Sequence, residues 1–135
     1  MSQALGFDFG MKYIGVASGQ TLTKTATPLT TIRAKDGIPI WSDIDQLVDD
    51  WQPNDIVVGL PLNMDGTDQL MTKRARKFAN RIKERYKNIP VHLEDERLTS
   101  WEAKQHSDIP NKNFTLINAK AAAIILQQWL EYKIE

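Results

Sequence analysis

The stretch Leu5 to Ala17, LGFDFGMKYIGVA, constrains the fold more than any other. Two short apolar runs, Leu5 to Phe9 and Tyr13 to Ala17, stand on either side of Gly10. This pattern predicts a β-hairpin in which Gly10 supplies a turn residue with φ > 0. One charge, Asp8, interrupts the first run. A carboxylate in a central strand is costly to bury unless something compensates it. A metal ion, a basic partner or a position at the strand end near water would each do so. The metal reading directs attention to further oxygen ligands downstream.

The rest of the chain reads as alternating strands and helices. Thr27 to Ile32 is Thr-rich and apolar and predicts a third strand, followed by a loop at Ala34-Lys35-Asp36-Gly37. Trp41, Ile44, Leu47, Val48 and Trp51 recur at helical spacing between Pro39 and Pro53. Asp55 to Gly59 is a continuous apolar run of the kind found in a strand covered on both faces. Leu60 to Thr67 is a loop punctuated by Pro61 and Asp65-Gly66. Thr67 or Asp68 is the expected cap of a second helix, with Met71, Ala75, Phe78, Ala79, Ile82 and Tyr86 as its apolar stripe. Val91 to Glu94 is a fifth strand, ending in Asp95-Glu96-Arg97. A short helix is expected from Ser100 to about His106, a polar loop from Ser107 to Asn113, and a final helix from about Thr115 to Tyr132.

With helical crossovers, the later strands should lie parallel to the first, giving an α/β layer structure: a mixed five-stranded sheet with helices on both faces. No repeat, linker or low-complexity tract divides residues 1–135, so a single domain is expected. In such sheets ligands gather at the carboxyl ends of the parallel strands. Asp8, the Gly59 to Asp65 loop, and Asp95 with Glu96 would meet there.

Charge is balanced overall, 17 basic against 17 acidic residues, so attraction to a polyanion must be local. The second helix supplies such a patch. Lys73, Arg74, Arg76, Lys77, Arg81, Lys83, Arg85 and Lys87 stand against one acid, Glu84. An exposed helix commonly mixes signs for pairing one turn apart, so this face reads as solvent dressing or as a phosphate-binding surface. The absence of cysteine excludes disulfides and thiolate metal sites and suits a reducing cytoplasm. No run approaches the ~18 apolar residues of a membrane span, and the N-terminus lacks a signal-peptide pattern. His92 and His106 have no nucleophile at catalytic spacing and read as structural.

Carboxylates brought together at one rim repel each other unless cations lie between them. Mg²⁺ and Mn²⁺ prefer such oxygen ligands, and ions held this way hydrolyse phosphodiesters. At this point the chain resembles the YqgF family, described as Holliday-junction resolvases and as nucleases for the 5′ end of pre-16S ribosomal RNA. The resemblance rests on Gly6 to Ala17, Gly59-Leu60-Pro61-Leu62-Asn63-Met64-Asp65-Gly66, Asp95-Glu96-Arg97-Leu98-Thr99-Ser100, and Ala119 through Gln127.

The resemblance implies a ribonuclease-H-like three-layer fold with sheet order 3-2-1-4-5 and an acid-held divalent metal, Mg²⁺ or Mn²⁺. It implies Asp8 as the first ligand and Glu96, or its neighbour Asp95, as the second. The family's third acid, at the start of the last helix, falls on Asn118, an uncharged and weaker ligand. Tyr13 stands where the family commonly has Arg. Lys12, Lys73, Arg74, Arg76, Lys77, Arg81 and Arg97 are the candidate nucleic-acid contacts, although Arg97 is also the natural structural partner of whichever of Asp95 and Glu96 is not a ligand.

The implied partner is nucleic acid, pre-rRNA first and branched DNA second. The implied protein is cytoplasmic, and a monomer or homodimer. Two other classes compete with the nuclease reading. An ATP-binding domain like those of sugar kinases and actin shares the Asp-x-Gly turn. A non-catalytic ribosome-assembly factor would keep the fold and lose the chemistry.

Overall fold

The computed structural model describes residues 2–97 and 114–132. The expected short helix from Ser100, the loop to Asn113, Trp101 and His106 lie outside them. In chain order the elements are β1 (Gln3–Asp8), β2 (Tyr13–Gln20), β3 (Thr25–Lys35), β4 (Ile38–Pro39), α1 (Trp41–Trp51), β5 (Asp55–Leu60), α2 (Leu70–Arg85), β6 (Val91–Asp95) and α3 (Phe114–Tyr132).

The strands form one sheet in the order β4-β3-β2-β1-β5-β6. The first four strands pair antiparallel along the chain, and β5 and β6 add in parallel beside β1. Without β4 this is the expected 3-2-1-4-5 order. The sixth strand is new. Asp36 and Gly37, read from sequence as loop, both take positive φ, 52° and 80°. Two such residues form the tight turn that matches strand twist, so β3 doubles back into β4.

Helices α1 and α2 cover one face of the sheet. Their core holds Leu5, Phe7, Ile14, Val16, Ile56 and Val58 from the strands, with Ile44, Phe78 and Ile82 from the helices. Helix α3 covers the other face, and its core is built on small strand residues, Ala4 and Ala17, with Val57. Alternation along a strand makes this division. In β1, Leu5 and Phe7 face α1 and α2, whereas Ala4, Gly6 and Asp8 share the α3 side.

Glycines let α3 approach closely. A Cβ on Gly6 would lie 2.8 Å from Leu126 Cβ, and one on Gly19 would lie 2.9 Å from Leu126 Cδ2. Gly10 does not use a positive φ, contrary to the sequence expectation. The turn needs its bare Cα instead, because a Cβ there would lie 2.3 Å from the Tyr13 carbonyl oxygen.

The start of α2 also departs from the sequence reading. Gln69 is the N-cap rather than Thr67 or Asp68. The Thr72 hydroxyl accepts the Gln69 N–H at 3.0 Å and donates to the Pro61 carbonyl. Thr67 is diverted into the preceding loop, where its N–H and hydroxyl donate to Asp65 Oδ1.

Phe78 joins the layers on the α2 side. Its ring meets Phe7 edge-on at 5.9 Å and stacks on Trp41 at 6.3 Å. Phe78→Ala should therefore cost about 3–5 kcal/mol in a urea titration. Asp45 clasps α1 to α2, accepting from Arg85 Nε at 2.8 Å and from the Tyr86 hydroxyl. The Arg85 and Tyr86 hydrogen bonds hold the Asp45 carboxyl down to about 2, from an ordinary value of 3.8. A depressed carboxyl stabilises the fold fully above its unfolded value, and that contribution is lost as pH falls through the folded one. The pair is exposed, so Asp45→Asn should cost about 1 kcal/mol or less at neutral pH. The difference from wild type should shrink between pH 4 and pH 2, as followed by thermal melts across that range.

Candidate active site

Asp8 ends β1, in the middle of the sheet. On one side it pairs with Gly15 of β2. On the other it lies one step beyond the Phe7–Val58 pair, beside Gly59 of β5. Both flanking positions thus lack a side chain, and other groups occupy the space above them. A Cβ on Gly59 would lie 2.1 Å from Glu96 Oε2, and a Cβ on Gly15 would lie 1.9 Å from the Asn118 backbone oxygen. The Glu96 carboxylate and the Asn118 backbone are therefore brought over the two glycines that flank Asp8, on the α3 face of the rim.

Strand parity explains why Glu96 arrives there. His92 packs on Trp129 at 4.9 Å and the Glu94 carboxylate accepts from Gln128, so the even positions of β6 face α3. Glu96 continues that series just past the strand, with its N–H donated to the Leu60 carbonyl at 3.2 Å. It is 6% exposed.

Asp95 has the opposite parity and is held by Arg97. Its oxygens accept the Arg97 N–H at 3.0 Å and Nε at 2.8 Å, and the Nη2 ion pair is 2.7 Å. Burial works to raise the Asp95 carboxyl, but the Arg97 hydrogen bonds outweigh it and hold it below the usual range. Of the two neighbouring acids, Glu96 is the one delivered to the Asp8 face.

The remaining sequence candidates divide into engaged and open groups. Arg97 also donates from Nη1 to the Met64 carbonyl at 3.2 Å, tying the loop after β5 to the end of β6. Asp65 shapes that same loop, and the Thr67 hydrogen bonds lower its carboxyl. Arg76 pairs with Asp68 at 3.1 Å. Lys12 is exposed in the turn after Asp8. Lys12, Lys73, Arg74, Lys77 and Arg81 have no acidic partner among the described residues. His92 lies toward the opposite end of the sheet, 2.9 Å from Asp55 Oδ1, as a structural residue would.

Gln128 was not a sequence candidate. Its Nε2 donates to the Asp95 carbonyl at 2.9 Å as well as to Glu94, fixing the end of β6 immediately before Glu96. The available signal was a pair of amides, Gln127-Gln128, inside the otherwise apolar stretch Ala121 to Leu130.

Among the described residues no group of three or more acids or histidines is gathered closely enough to hold a metal. The potential donors on this face are two carboxylates, Asp8 and Glu96, with the Asn118 backbone oxygen above Gly15. All are hard oxygen ligands, a set that suits Mg²⁺ or Mn²⁺ and not a thiophilic metal. Helices α2 and α3 both begin at this rim, where their N-terminal dipoles favour a bound anion.

The three-layer sheet with an acid at the end of its central strand is a ribonuclease-H-like fold. It is similar in structure to Thermus thermophilus RuvC in complex with a Holliday junction substrate, with a TM-score of 0.60 at 14% identity over 96% of this chain and 94% of that one. The yeast mitochondrial Holliday junction resolvase Ydc2 gives 0.54 at 13% identity, over 96% and 78%. A family model described as "RuvX: Holliday junction resolvase" matches residues 2–132, and the chain belongs to this family, also known as YqgF. Relatives named "Putative pre-16S rRNA nuclease" include one from Proteus mirabilis, 50% identical over 131 residues and 94% of both chains. Another, from Pseudomonas putida, is 48% identical over 138 residues, 94% of this chain and 93% of its own.

The contact over Gly59 has a consequence independent of chemistry. Gly59→Ala should destabilise the protein, and part of that penalty should vanish when Glu96→Ala is already present. A double-mutant cycle in urea should return a coupling of about 0.5–3 kcal/mol, as expected for side chains in contact. Additivity would show that Glu96 does not lie over Gly59.

Proposed function

We propose that this protein is a divalent-metal-dependent endonuclease that hydrolyses phosphodiester bonds in structured nucleic acid, with the 5′ end of pre-16S ribosomal RNA as its substrate. One observation carries the reading: the Glu96 carboxylate and the Asn118 backbone stand over the two glycines that flank Asp8, so β1, the end of β6 and the first turns of α3 meet at one rim. The names of its close relatives support the choice of RNA.

Asp8 and Glu96 would hold Mg²⁺ or Mn²⁺, with Asn118 as a neutral third ligand. When bound, such a cation supplies Lewis-acid charge for phosphodiester hydrolysis. Gln128 and the Asp95–Arg97 pair act as positioning groups, because they fix the chain on either side of Glu96. Lys12 and the basic residues of α2, Lys73, Arg74, Arg76, Lys77 and Arg81, would hold phosphates, with Arg97 at the rim. A cytoplasmic location follows from an rRNA substrate, and no described helix is long and apolar enough to cross a membrane.

The likeness to junction-bound RuvC favours a second reading, cleavage of branched DNA. That reaction needs two sites on two strands and hence a homodimer. Asn118 favours a third, a nucleic-acid-binding assembly factor without cleavage.

The test is cleavage of a pre-16S 5′ fragment with Mn²⁺ and with Mg²⁺. Asp8→Asn and Glu96→Gln should each reduce the rate by a factor on the order of 10² or more, with binding in EDTA preserved. Asn118→Asp should raise the rate. Cutting by Asp8→Asn at the wild-type rate would remove the proposed site. Faster cutting of a four-way DNA junction than of RNA would favour the second reading. Absence of cleavage with either metal, alongside tight RNA binding, would favour the third.

A further inference from the structure

The cations of α2 are sorted by the side of the helix they occupy. Arg76 and Arg85 are engaged by Asp68 and Asp45. Arg74, Lys77 and Arg81 have no acidic partner among the described residues, and all three line one cleft of about 250 Å³ between α2 and the β3–β4 hairpin. They occupy positions i, i+3 and i+7 of a single flank. Like charges this close on a helix destabilise it. A polyanion in the cleft would relieve that repulsion. Asp36 is the single acid among the lining residues, leaving the cleft net positive.

The floor of the cleft is apolar. Phe9, Met11 and Ile38 form it; Ile38 is 48% exposed, whereas Phe9 belongs to the core and shows only an edge. Gly37 packs on the end of the Phe9 ring, since a Cβ there would lie 2.8 Å from Phe9 Cζ. Arg74 Nη1 reaches across to Met11 Sδ at 3.4 Å. Cations along one wall and an exposed apolar side chain, Ile38, on the other suit a single strand, whose phosphates and base faces are both available. A duplex hides its base faces and would leave the floor unused. From Arg74 to Arg81 is about 10 Å along the helix, the span of about three phosphates at stacked spacing.

Position connects this cleft to the rim. Phe9 directly follows Asp8 and Met11 comes two residues later, so the cleft opens at the same turn that ends β1. It then runs along α2, on the opposite face of the sheet from Glu96 and Asn118.

We propose that this cleft binds a single-stranded flank of the substrate, which crosses the rim at the Gly10 turn and lies along Arg74, Lys77 and Arg81. The proposal deepens the nuclease reading and rests on it for the identity of the polymer. It narrows the substrate class to nucleic acid with an unpaired extension beside the cut.

Binding measured by fluorescence anisotropy in EDTA tests the cleft apart from cleavage. The probes are a blunt RNA duplex and the same duplex with a single-stranded extension of three or eight nucleotides. Wild type should bind the eight-nucleotide form about tenfold more tightly than the blunt duplex. The triple variant Arg74→Gln, Lys77→Gln, Arg81→Gln should lose most of that preference, and its log–log salt slope on the extended RNA should fall by about 2. Ile38→Glu, a single exposed change, should weaken binding of the extended form several-fold more than that of the blunt duplex.

Equal affinity of wild type for blunt and extended RNA would overturn the proposal. So would an equal loss on both RNAs in the triple variant, since that pattern belongs to unspecific attraction. Flank-dependent binding by a protein that cuts nothing with either metal would leave the cleft standing and remove the nuclease reading alone.

Discussion

The close approach of α3 to the sheet is the constraint on which the rest depends. The two faces of the sheet are unlike. The α1/α2 side carries Leu5, Phe7, Ile14, Val16, Ile56 and Val58, and these large side chains fill the layer beneath the helices. The α3 side carries Gly6, Gly15, Gly19 and Gly59 with Ala4 and Ala17, and a Cβ on any of the four glycines would lie within 3 Å of a neighbouring heavy atom. Bulk on that face would lift α3 away. Because Asp8 has the parity of Ala4 and Gly6, the same small-residue surface that seats the helix also leaves room around the carboxylate. Packing and site are two results of one pattern.

Parity also separates the acids at the end of β6. Adjacent carboxylates cannot both be delivered to one face of an extended chain. Asp95 is spent on Arg97, and through Arg97 it anchors the loop that follows β5. Glu96 is carried to the Asp8 face and buried there. Gln128 reinforces the division by gripping the Asp95 carbonyl and the Glu94 carboxylate at once. A helical amide thereby reinforces the register that the β5–β6 ladder sets and on which the Glu96 placement rests.

Strand order, both helix faces and the rim were legible in the sequence, because each rests on periodicity or on the direction of crossovers. Asp8 was legible as one charge in an apolar strand. The choice between Asp95 and Glu96 was not, since it needs the point where β6 ends and the partner that claims Asp95. The sixth strand was missed although Asp36-Gly37 is a recognised hairpin pair; its two-residue strand is too short to show alternation. Gly10 was assigned a dihedral role, and only coordinates show that the Tyr13 carbonyl is what excludes a side chain there. The α2 cap was misplaced because Thr67 and Asp65 satisfy each other, a local competition that side-chain chemistry permits at either position.

Asn118 bears on how much charge the proposed site can balance. Among the described residues, Asp8 and Glu96 contribute two carboxylates on that face, and an asparagine at 118 adds no charge. Two carboxylates match the charge of one divalent cation. A third acid, as the family commonly has, would leave an excess that favours a second ion before substrate arrives. With asparagine there, the proposed site leans on the phosphate for charge to hold a second ion. On the proposed reading, metal loading and substrate binding are thus coupled in this chain. The positive N-terminal ends of α2 and α3 act in the same direction, since both favour the anionic substrate over a further free cation at the rim.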